Sequence, residues 1–366
     1  MVGDRLKFAR SQRGWTLEAL SGHTHIPVSS LSEFENGRRE PRLAHLEALA
    51  RAHGKPLGWF FDPAVGTAEV VLWRDRPAAQ EAAVIEARFI ELCRWYRNLE
   101  EWCDERRPCM LPDARPRGDR FDWADAQHLA NTVRLQLDLG QRPAASLLNV
   151  LENGCGIRVF HLEFEPTGTA ACTRDAELGM AVLLNAGNKR WRRNFDLAHE
   201  LFHLLTWHVF RTTDVAARSD QREEQLADRF ASCLLMPEEA LRDSVALASG
   251  ARGSLRHVEL FDIARQFDVS VEALLWRIHA VYRRDAVETE RDLDVCRRCR
   301  DAVDVREDTR PPSLPERYRA LAVRALLDGR LSIGRAAQYL GMSRKDVMAL
   351  DGAGEVTDDP IALDPA

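Results

Sequence analysis

Apolar residues recur every three or four positions along most of this chain, and short clusters of Gly, Pro, Asp and Ser separate the runs. That spacing is the helical period. It predicts short helices with tight turns over residues 4–61, then one long helix over 79–105 that ends in EEWCDERRP. The segment CMLPDARPRGDRFD, 109–122, is rich in Pro, Arg and Asp and reads as a linker. A helix is predicted from about Asp122 through ADAQHLANTVRLQL, and a shorter one over GQRPAASLLNVLENGCG, ending at Gly154. The period then shortens toward two, so IRVFHLEF (157–164) and MAVLLN (180–185) predict strands. RRNFDLAHELFHLLTWHVF (192–210) is helical again, with Asn194 or Asp196 offered as its cap. GSLRHVELFDIARQFDVSVEALLWRIHAVY predicts helix, turn (FDVS) and helix. RDAVETERDLDVCRRCRDAVDVREDTRPPSLP is dense in charge, ends in prolines and reads as a linker. Helices resume in LPERYRALAVRALLDGRLSIGRAAQYLGMSRKDVMAL, where A-A-x-x-L-G-M-S has the turn of a small helix-turn-helix; packing, sensing and DNA contact are all open roles for it. Residues 352–366 are expected to be disordered.

Composition narrows this picture. A chain of 366 residues is long enough for two or three domains. The net charge of −6 gives no general pull toward nucleic acid or membrane, so any DNA contact must come from a local patch. No run approaches the ~18 apolar residues of a membrane span. The start of the chain lacks the apolar core of a signal peptide. Cys93, Cys103, Cys109, Cys155, Cys172, Cys233, Cys296 and Cys299 are scattered, and with no export signal they read as reduced thiols of a cytoplasmic protein. Cys296-Arg-Arg-Cys299 is a single C-x-x-C without a second pair, which is half of a zinc site at most.

The chemistry concentrates in LAHELFHLL. His199 and His203 are one helical turn apart and lie about 40° from each other round the axis, so both imidazoles reach one metal ion. Glu200 points about 100° away from His199, where it can hold a water without taking a ligand position. By composition, such a pattern arises by chance on the order of one time in a hundred in a chain this long, so it calls for a second element. A catalytic zinc needs a third protein ligand and keeps a water. REEQLADRFASCLLMPEEAL supplies it: Glu224 is the predicted ligand, and Asp228, one turn on, is predicted to fix a ligand histidine through its second N–H. Glu223 is the competing ligand, but it is out of phase with the Ala227/Ala231 stripe and reads otherwise as a charged helix start. His208 is a weak candidate for stabilising an oxyanion, since five residues past His203 it faces elsewhere.

LAHELFHLL followed by EEQLADRFASCLLMP resembles the ImmA/IrrE family of bacterial zinc metallopeptidases, in which H-E-x-x-H is followed by E-x-x-A-N-x-F-A and L-L-M-P. Asp228 stands where the family has Asn. The resemblance implies a zincin-like α+β peptidase domain with a small sheet, Zn2+ held by His199, His203 and a gluzincin-like Glu224, and Glu200 as the catalytic base. It implies a transcriptional repressor as the protein substrate and stress, DNA damage or mobile-element induction as the setting.

DRLKFARSQRGWTLEALSGHTHIPVSSLSEFENGRREPRLAHLEALARAHGKPLGWFFD resembles the lambda-repressor-like (XRE) helix-turn-helix family, through Leu6, Ala9, Arg10, Thr16 to Leu20, Ile26, Leu31, Phe34 to Gly37, Pro41 and the Leu46/Leu49/Ala50 helix. The resemblance implies a five-helix DNA-binding domain whose third helix offers Val28, Ser29, Ser30, Ser32 and Glu33 to bases. Thr16 and Arg10, Arg13, Arg38, Arg39 and Arg42 would meet phosphates. Leu17 replaces the family's usual Gln, and Pro27 its usual Ser or Thr cap. A helix-turn-helix used only for dimerisation or docking is the alternative.

The expected fold class is therefore mainly α and multidomain. Residues 1–62 form the helix-turn-helix domain, 63–121 a helical connector and linker, and 122–245 the peptidase domain. Residues 246–285 form a helical extension, 286–351 a charged linker with a small helix-turn-helix-like region, and 352–366 the tail. The expected function is a DNA-binding regulator with a zinc endopeptidase domain; homodimerisation is an option and membranes are not partners. The alternative is a regulator whose peptidase-like domain senses and turns over little. A housekeeping peptidase on unfolded peptides is a third reading.

Overall fold

The computed structural model describes residues 2–12, 15–53, 57–61, 71–107, 111–112, 114–118, 120–166, 169–175, 178–211, 219–304 and 309–352. The tail expected to be disordered lies almost wholly outside the described residues, as do Arg13 and residues 62–70 of the chain after the first domain. The chain forms two compact units.

The first unit contains α1 (Val2–Gln12), α2 (Leu17–Thr24), α3 (Val28–Glu35) and α4 (Leu43–His53). The expected fifth helix is instead a 3-10 turn, Leu57–Phe61. Leu6, Leu20, Leu31, Phe34, Leu49 and Phe60 are buried as its core. Thr16 caps α2 by accepting from the Ala19 N–H. Gly3 is required where α1 crosses α3, because a Cβ there would overlap the Phe34 carbonyl. The Arg10 guanidinium makes two hydrogen bonds to Glu35, of 2.7 and 2.8 Å, and a third to the Trp15 carbonyl.

The second unit is built on one four-stranded sheet. Its elements are β1 (Val71–Trp73), α5 (Ala79–Trp102), most of which belongs to this unit, α6 (Trp123–Gln136), and α7 (Leu147–Asn149), which runs into a π turn at Val150–Gly154. Then come β2 (Arg158–Leu162), β3 (Ala170–Asp175), β4 (Gly179–Asn185), α8 (Arg190–Phe210), α9 (Gln221–Leu235), α10 (Glu238–Ser249), α11 (His257–Phe267) and α12 (Val271–Tyr282). The order closes with α13 (Ala286–Val303), α14 (Glu316–Leu327), α15 (Ile333–Leu340) and α16 (Arg344–Gly352). Asp122 and Asp125 form a capping box at the start of α6.

The strand order is β1-β3-β4-β2, antiparallel except for the β2–β4 pair. Both faces of the sheet are covered. Val159, Ala170, Cys172, Val182 and Leu184 pack into one core with α6, α8 and α9. Their neighbours Phe160, Ala171, Ala181 and Leu183 pack into another with α5, α14 and α15. A sheet buried on both sides needs no polar alternation, and β3 was not legible for that reason: AACTRD has neither alternation nor a run of branched residues.

In the second core, Glu100 of α5 bridges two arginines, 2.6 Å from Arg158 of β2 and 2.6 Å from Arg317 of α14. All three are nearly buried. Such a triad adds little net stability, but removing one member strands a charge, so it fixes how α14 seats on the sheet.

The charged stretch expected to be a linker is largely α13. Thr289, Leu293 and Cys296 are buried at helical spacing and pack it on α11 and α12, while its charges face water. A stripe this narrow is outnumbered by the charges around it. Cys296 and Cys299 are free thiols on this helix.

Glu152, in the π turn, is half-buried. Burial, and secondarily the charge of Glu316, push its carboxyl up to about 7. Between its unfolded value of about 4.5 and about 7 the folded chain holds the extra proton, so stability is lost as pH rises through that window. Glu152→Gln is expected to flatten this slope and to stabilise the chain on the order of 1–2 kcal/mol at pH 8. Urea midpoints of both proteins at pH 5 and pH 8 check it; equal slopes would count against it.

Candidate metal centre

α8 begins at Arg190, behind an extended Lys189, and no side chain caps it. Asn194 and Asp196 are therefore one turn inside the helix rather than at its start. Asn194 donates to Asp268 at 2.8 Å. Asp196 is fully buried and accepts from Arg74 and Asn188, both at 3.0 Å, and pairs with Arg192 at 2.9 Å. From Leu197 to Thr206 every residue of α8 is buried, so its polar side chains must find partners within the protein.

α9 supplies them. His199 Nδ1 lies 2.9 Å from Asp228 Oδ1, and His203 Nδ1 lies 2.8 Å from Glu223 Oε1. Four residues forward on α8 match five residues back on α9, so the two helices run antiparallel. With Nδ1 turned to a carboxylate, each ring turns its Nε2 inward. The two Nε2 atoms are 3.2 Å apart, His199 Nε2 is 3.0 Å from Glu224 Oε2, and His203 Nε2 is 3.4 Å from Glu224 Oε1. One ligand atom from each of His199, His203 and Glu224 lies within 4.8 Å of the other two. Two imidazole nitrogens and a carboxylate are the donor set of a divalent transition metal such as zinc.

Without a cation, lone pairs crowded in this way are relieved by a proton. Burial alone would lower His203, but its bonds to Glu223 and Glu224 prevail and raise it to about 9. Burial likewise raises Glu224, yet the bonds from His199 and His203 hold it well below the usual carboxylate range. Asp228 is lowered in the same sense, by His199 and Arg74 working against burial. A metal ion would take the position that this shared proton fills.

Glu200 behaves differently. It is fully buried, and among the described residues no N–H or hydroxyl meets either carboxylate oxygen. The Cys172 thiol of β3 lies beside it. Burial raises its pKa, and the two histidines only partly offset that. Burial, followed by the charge of Glu200, also raises the Cys172 thiol far above its ordinary range, so it is a neutral neighbour.

Two residues of the site were not read as such in the sequence. Glu223 is the anchor of His203 and also accepts both ends of the Arg211 fork, at 2.8 and 2.9 Å. Arg74, just past β1, bridges Asp196 and Asp228 at 3.0 and 2.9 Å. Helix register held the signal for Glu223: if Asp228 serves one histidine, the other needs a carboxylate one turn in the opposite direction. Nothing local marks Arg74. His208 is turned away from the cluster and bonds the Ala114 carbonyl at 2.8 Å.

Glu223→Ala is expected to weaken metal binding about 10–100-fold, as loss of such an anchor does. Competition with a coloured chelator measures this. An unchanged affinity would mean that Glu223 serves only Arg211.

The residues expected to meet DNA divide. Arg10 is corrected: its guanidinium is held by Glu35 and the Trp15 carbonyl inside the domain and is not available to a phosphate. Arg13 is outside the described residues. Thr16 is exposed but acts as the α2 cap. Ser29, Arg38 and Arg39 are exposed, while Val28, Ser30, Ser32 and Glu33 are half-exposed along α3. Arg39 lies 3.6 Å from Glu33, and Pro27 gives α3 no side-chain cap. Arg42 is exposed. Among the described residues, no helix is long and apolar enough to cross a membrane.

Comparison with known proteins places two domains on this chain. Residues 2–57 match a helix-turn-helix domain, and residues 153–279 match the IrrE N-terminal-like domain of peptidase family M78. The second match begins inside, and ends beyond, the segment 122–245 read from the sequence. The transcriptional regulator ClgR of Mycobacterium tuberculosis is 40% identical over 57 residues, 16% of this chain and 51% of that protein. The competence pilus inhibition repressor of Acinetobacter baylyi is 37% identical over 51 residues, 14% of this chain and 46% of that protein. The chain thus spans about half the length of these curated relatives. Two solved structures align over 83% of this chain and 95% of theirs at 12% identity. They are Bacillus thuringiensis PlcR with the peptide PapR7 and DNA (TM-score 0.17) and S. thermophilus ComR with DNA and its signalling peptide ComS (TM-score 0.20). Superpositions at these scores define no shared fold.

Proposed function

For a chain that carries a helix-turn-helix domain and an IrrE N-terminal-like domain, we propose a DNA-binding transcriptional regulator that is also a zinc-dependent endopeptidase. Its substrate class is a protein, with a transcriptional repressor first in line. The observation that supports it best is the convergence of His199, His203 and Glu224 beside the fully buried Glu200. His199, His203 and Glu224 would hold the zinc. Bound there, zinc polarises a scissile carbonyl and lowers the pKa of water toward 7. Asp228 and Glu223 take the Nδ1–H of the two imidazoles and so aim each Nε2 inward. Glu200 accepts the proton of the attacking water and returns it to the leaving amine; a carboxylate raised by burial suits both steps. The helix-turn-helix domain supplies the DNA contact, through the exposed Arg38, Arg39 and Arg42 and the outer side of α3. Holding a protease near DNA raises its effective concentration on a DNA-bound repressor.

The complete burial of Glu200 favours a second reading, a regulator whose metal domain senses and does not turn over. One experiment separates the two. The purified chain is assayed for zinc per chain, then incubated with the repressors encoded beside its gene, with and without chelator. Chelator-sensitive cleavage supports the peptidase. A full complement of zinc with every repressor intact supports the sensor.

A further inference from the structure

We propose that α15 and α16 form a second DNA-docking element, with α16 presented to the major groove of duplex DNA. The proposal rests on neither the metal site nor the N-terminal domain.

The geometry is that of a helix-turn-helix. α15 ends at Gly341, whose φ of +65° closes the helix in the left-handed region and whose N–H bonds the Ala337 carbonyl. Three residues, Gly341 to Ser343, form the turn. Ser343 then starts α16: its Oγ accepts from the Asp346 N–H at 3.2 Å and donates to Asp346 Oδ2 at 2.7 Å. Two short helices joined by a three-residue turn containing glycine are the skeleton by which a second helix enters a groove.

The burial pattern leaves that second helix free to do so. Ala336, Ala337, Tyr339 and Leu340 bury α15 in the second core. Tyr339 stacks on Trp95 at 4.6 Å and receives a hydrogen bond from Tyr318 at its carbonyl. α16 is anchored by the fully buried Val347, whereas Arg344, Lys345, Met348 and Ala349 are exposed. Met348 is an apolar side chain 58% exposed on an otherwise polar face. The Ala349 stub permits close approach of the helix to a groove wall.

Charge selects the occupant. The chain is acidic overall, yet residues 316–352, from α14 to the end of α16, hold seven basic and four acidic side chains. Only Arg317 of the seven is buried; Arg319, Arg324, Arg330, Arg335, Arg344 and Lys345 are exposed. Asp346 is held by the Ser343 cap, and Arg324 pairs with Glu105 and lies 3.9 Å from Asp328, which leaves Arg319, Arg330, Arg335, Arg344 and Lys345 as the exposed cations. The helix-turn-helix itself holds Arg335, Arg344 and Lys345 against Asp346 and Asp351, and Arg319 and Arg330 lie on and after the preceding α14; an excess of cations on and beside such a pair of helices fits the phosphates of a duplex. A protein partner for this face would instead want the charged residues depleted at its centre.

The test uses the full chain. A photo-crosslinking phenylalanine analogue is placed at Met348 in one protein and at Ser32 of α3 in another, and each is irradiated with labelled random duplexes of about 30 bp. Crosslinking to DNA from Met348 is expected. A third protein, Arg344→Ala with Lys345→Ala, is expected to melt as the parent does. It should lose about 1.8 from the slope of log affinity against log salt, so that its affinity falls about tenfold less than the parent's between about 50 and 200 mM salt. DNA captured from Ser32 alone overturns the proposal and leaves the N-terminal reading standing. DNA captured from Met348 alone supports it and removes the N-terminal reading. Capture of protein from Met348, or of nothing from either position, overturns it, as does an unchanged salt slope.

Discussion

A Glu200→Gln protein is expected to bind one zinc with parental affinity and to cleave its substrate about 10²–10⁴-fold more slowly. Glutamine keeps the shape and volume of the side chain and removes only the ability to accept a proton. In the folded chain the Cys172 thiol lies beside Glu200, and neither of the carboxylate contacts that anchor His199 and His203 runs through it. The substitution therefore leaves the His199, His203 and Glu224 cluster intact. It also exchanges a buried carboxyl for a neutral amide, which desolvation favours, so the thermal midpoint should hold or rise. Zinc counting, a melting curve and a timed digestion of the same preparation give the three readings. Cleavage that persists at the parental rate would remove Glu200 from the chemistry and expose a contaminant or a different base. Loss of zinc together with activity would mean that Glu200 supports the ligands, against the geometry.

The contrast between this glutamate and its neighbours shows what a sequence displays and what it hides. The i, i+4 spacing of His199 and His203 places both rings on one side of a helix whatever the rest of the chain does, so the heart of the site was legible. Glu224 and Asp228 were legible because they too are one turn apart, on a helix whose apolar stripe fixes their phase. Arg74, 122 residues from Asp196, and the pairing of Arg10 with Glu35 were not legible, because the sheet and the helix crossings that join them are tertiary. Charge density misled twice. It disguised α13 as a linker, although burial of every third or fourth residue is enough to hold a helix on a core. It also made Glu223 look like a solvated helix start, when it is 3% exposed between His203 and Arg211. Short strands were the other loss: β1 has three residues, and β3 acquires its strand character only from β1 and β4 on either side.

Glu224→Ala should act on the opposite term, abolishing metal binding while the fold survives. The carboxylate is the one anionic ligand of the cluster, and two neutral imidazoles alone hold a divalent cation far less tightly. Its side chain is 24% exposed, and the apolar face of α9 (Leu226, Ala227, Phe230, Ala231, Leu234) does not include it, so truncation leaves no core cavity. What the apo protein loses is the bond to His199, the bond from the Ser219 hydroxyl and one of the two bonds that raise His203; Glu223 still anchors that ring. Expected results are less than about a tenth of the parental zinc after dialysis, no hydrolysis, and a far-UV spectrum like the parent's. Glu224→His tests the reasoning further, since three imidazoles also make a zinc site: partial recovery of zinc relative to alanine is expected. Asp228→Ala should cost only the anchor of His199, weakening zinc by a factor closer to ten than to a thousand. Should the alanine protein keep its zinc while the Asp228 protein loses it, the third ligand is Asp228, and the roles of the two carboxylates on α9 exchange.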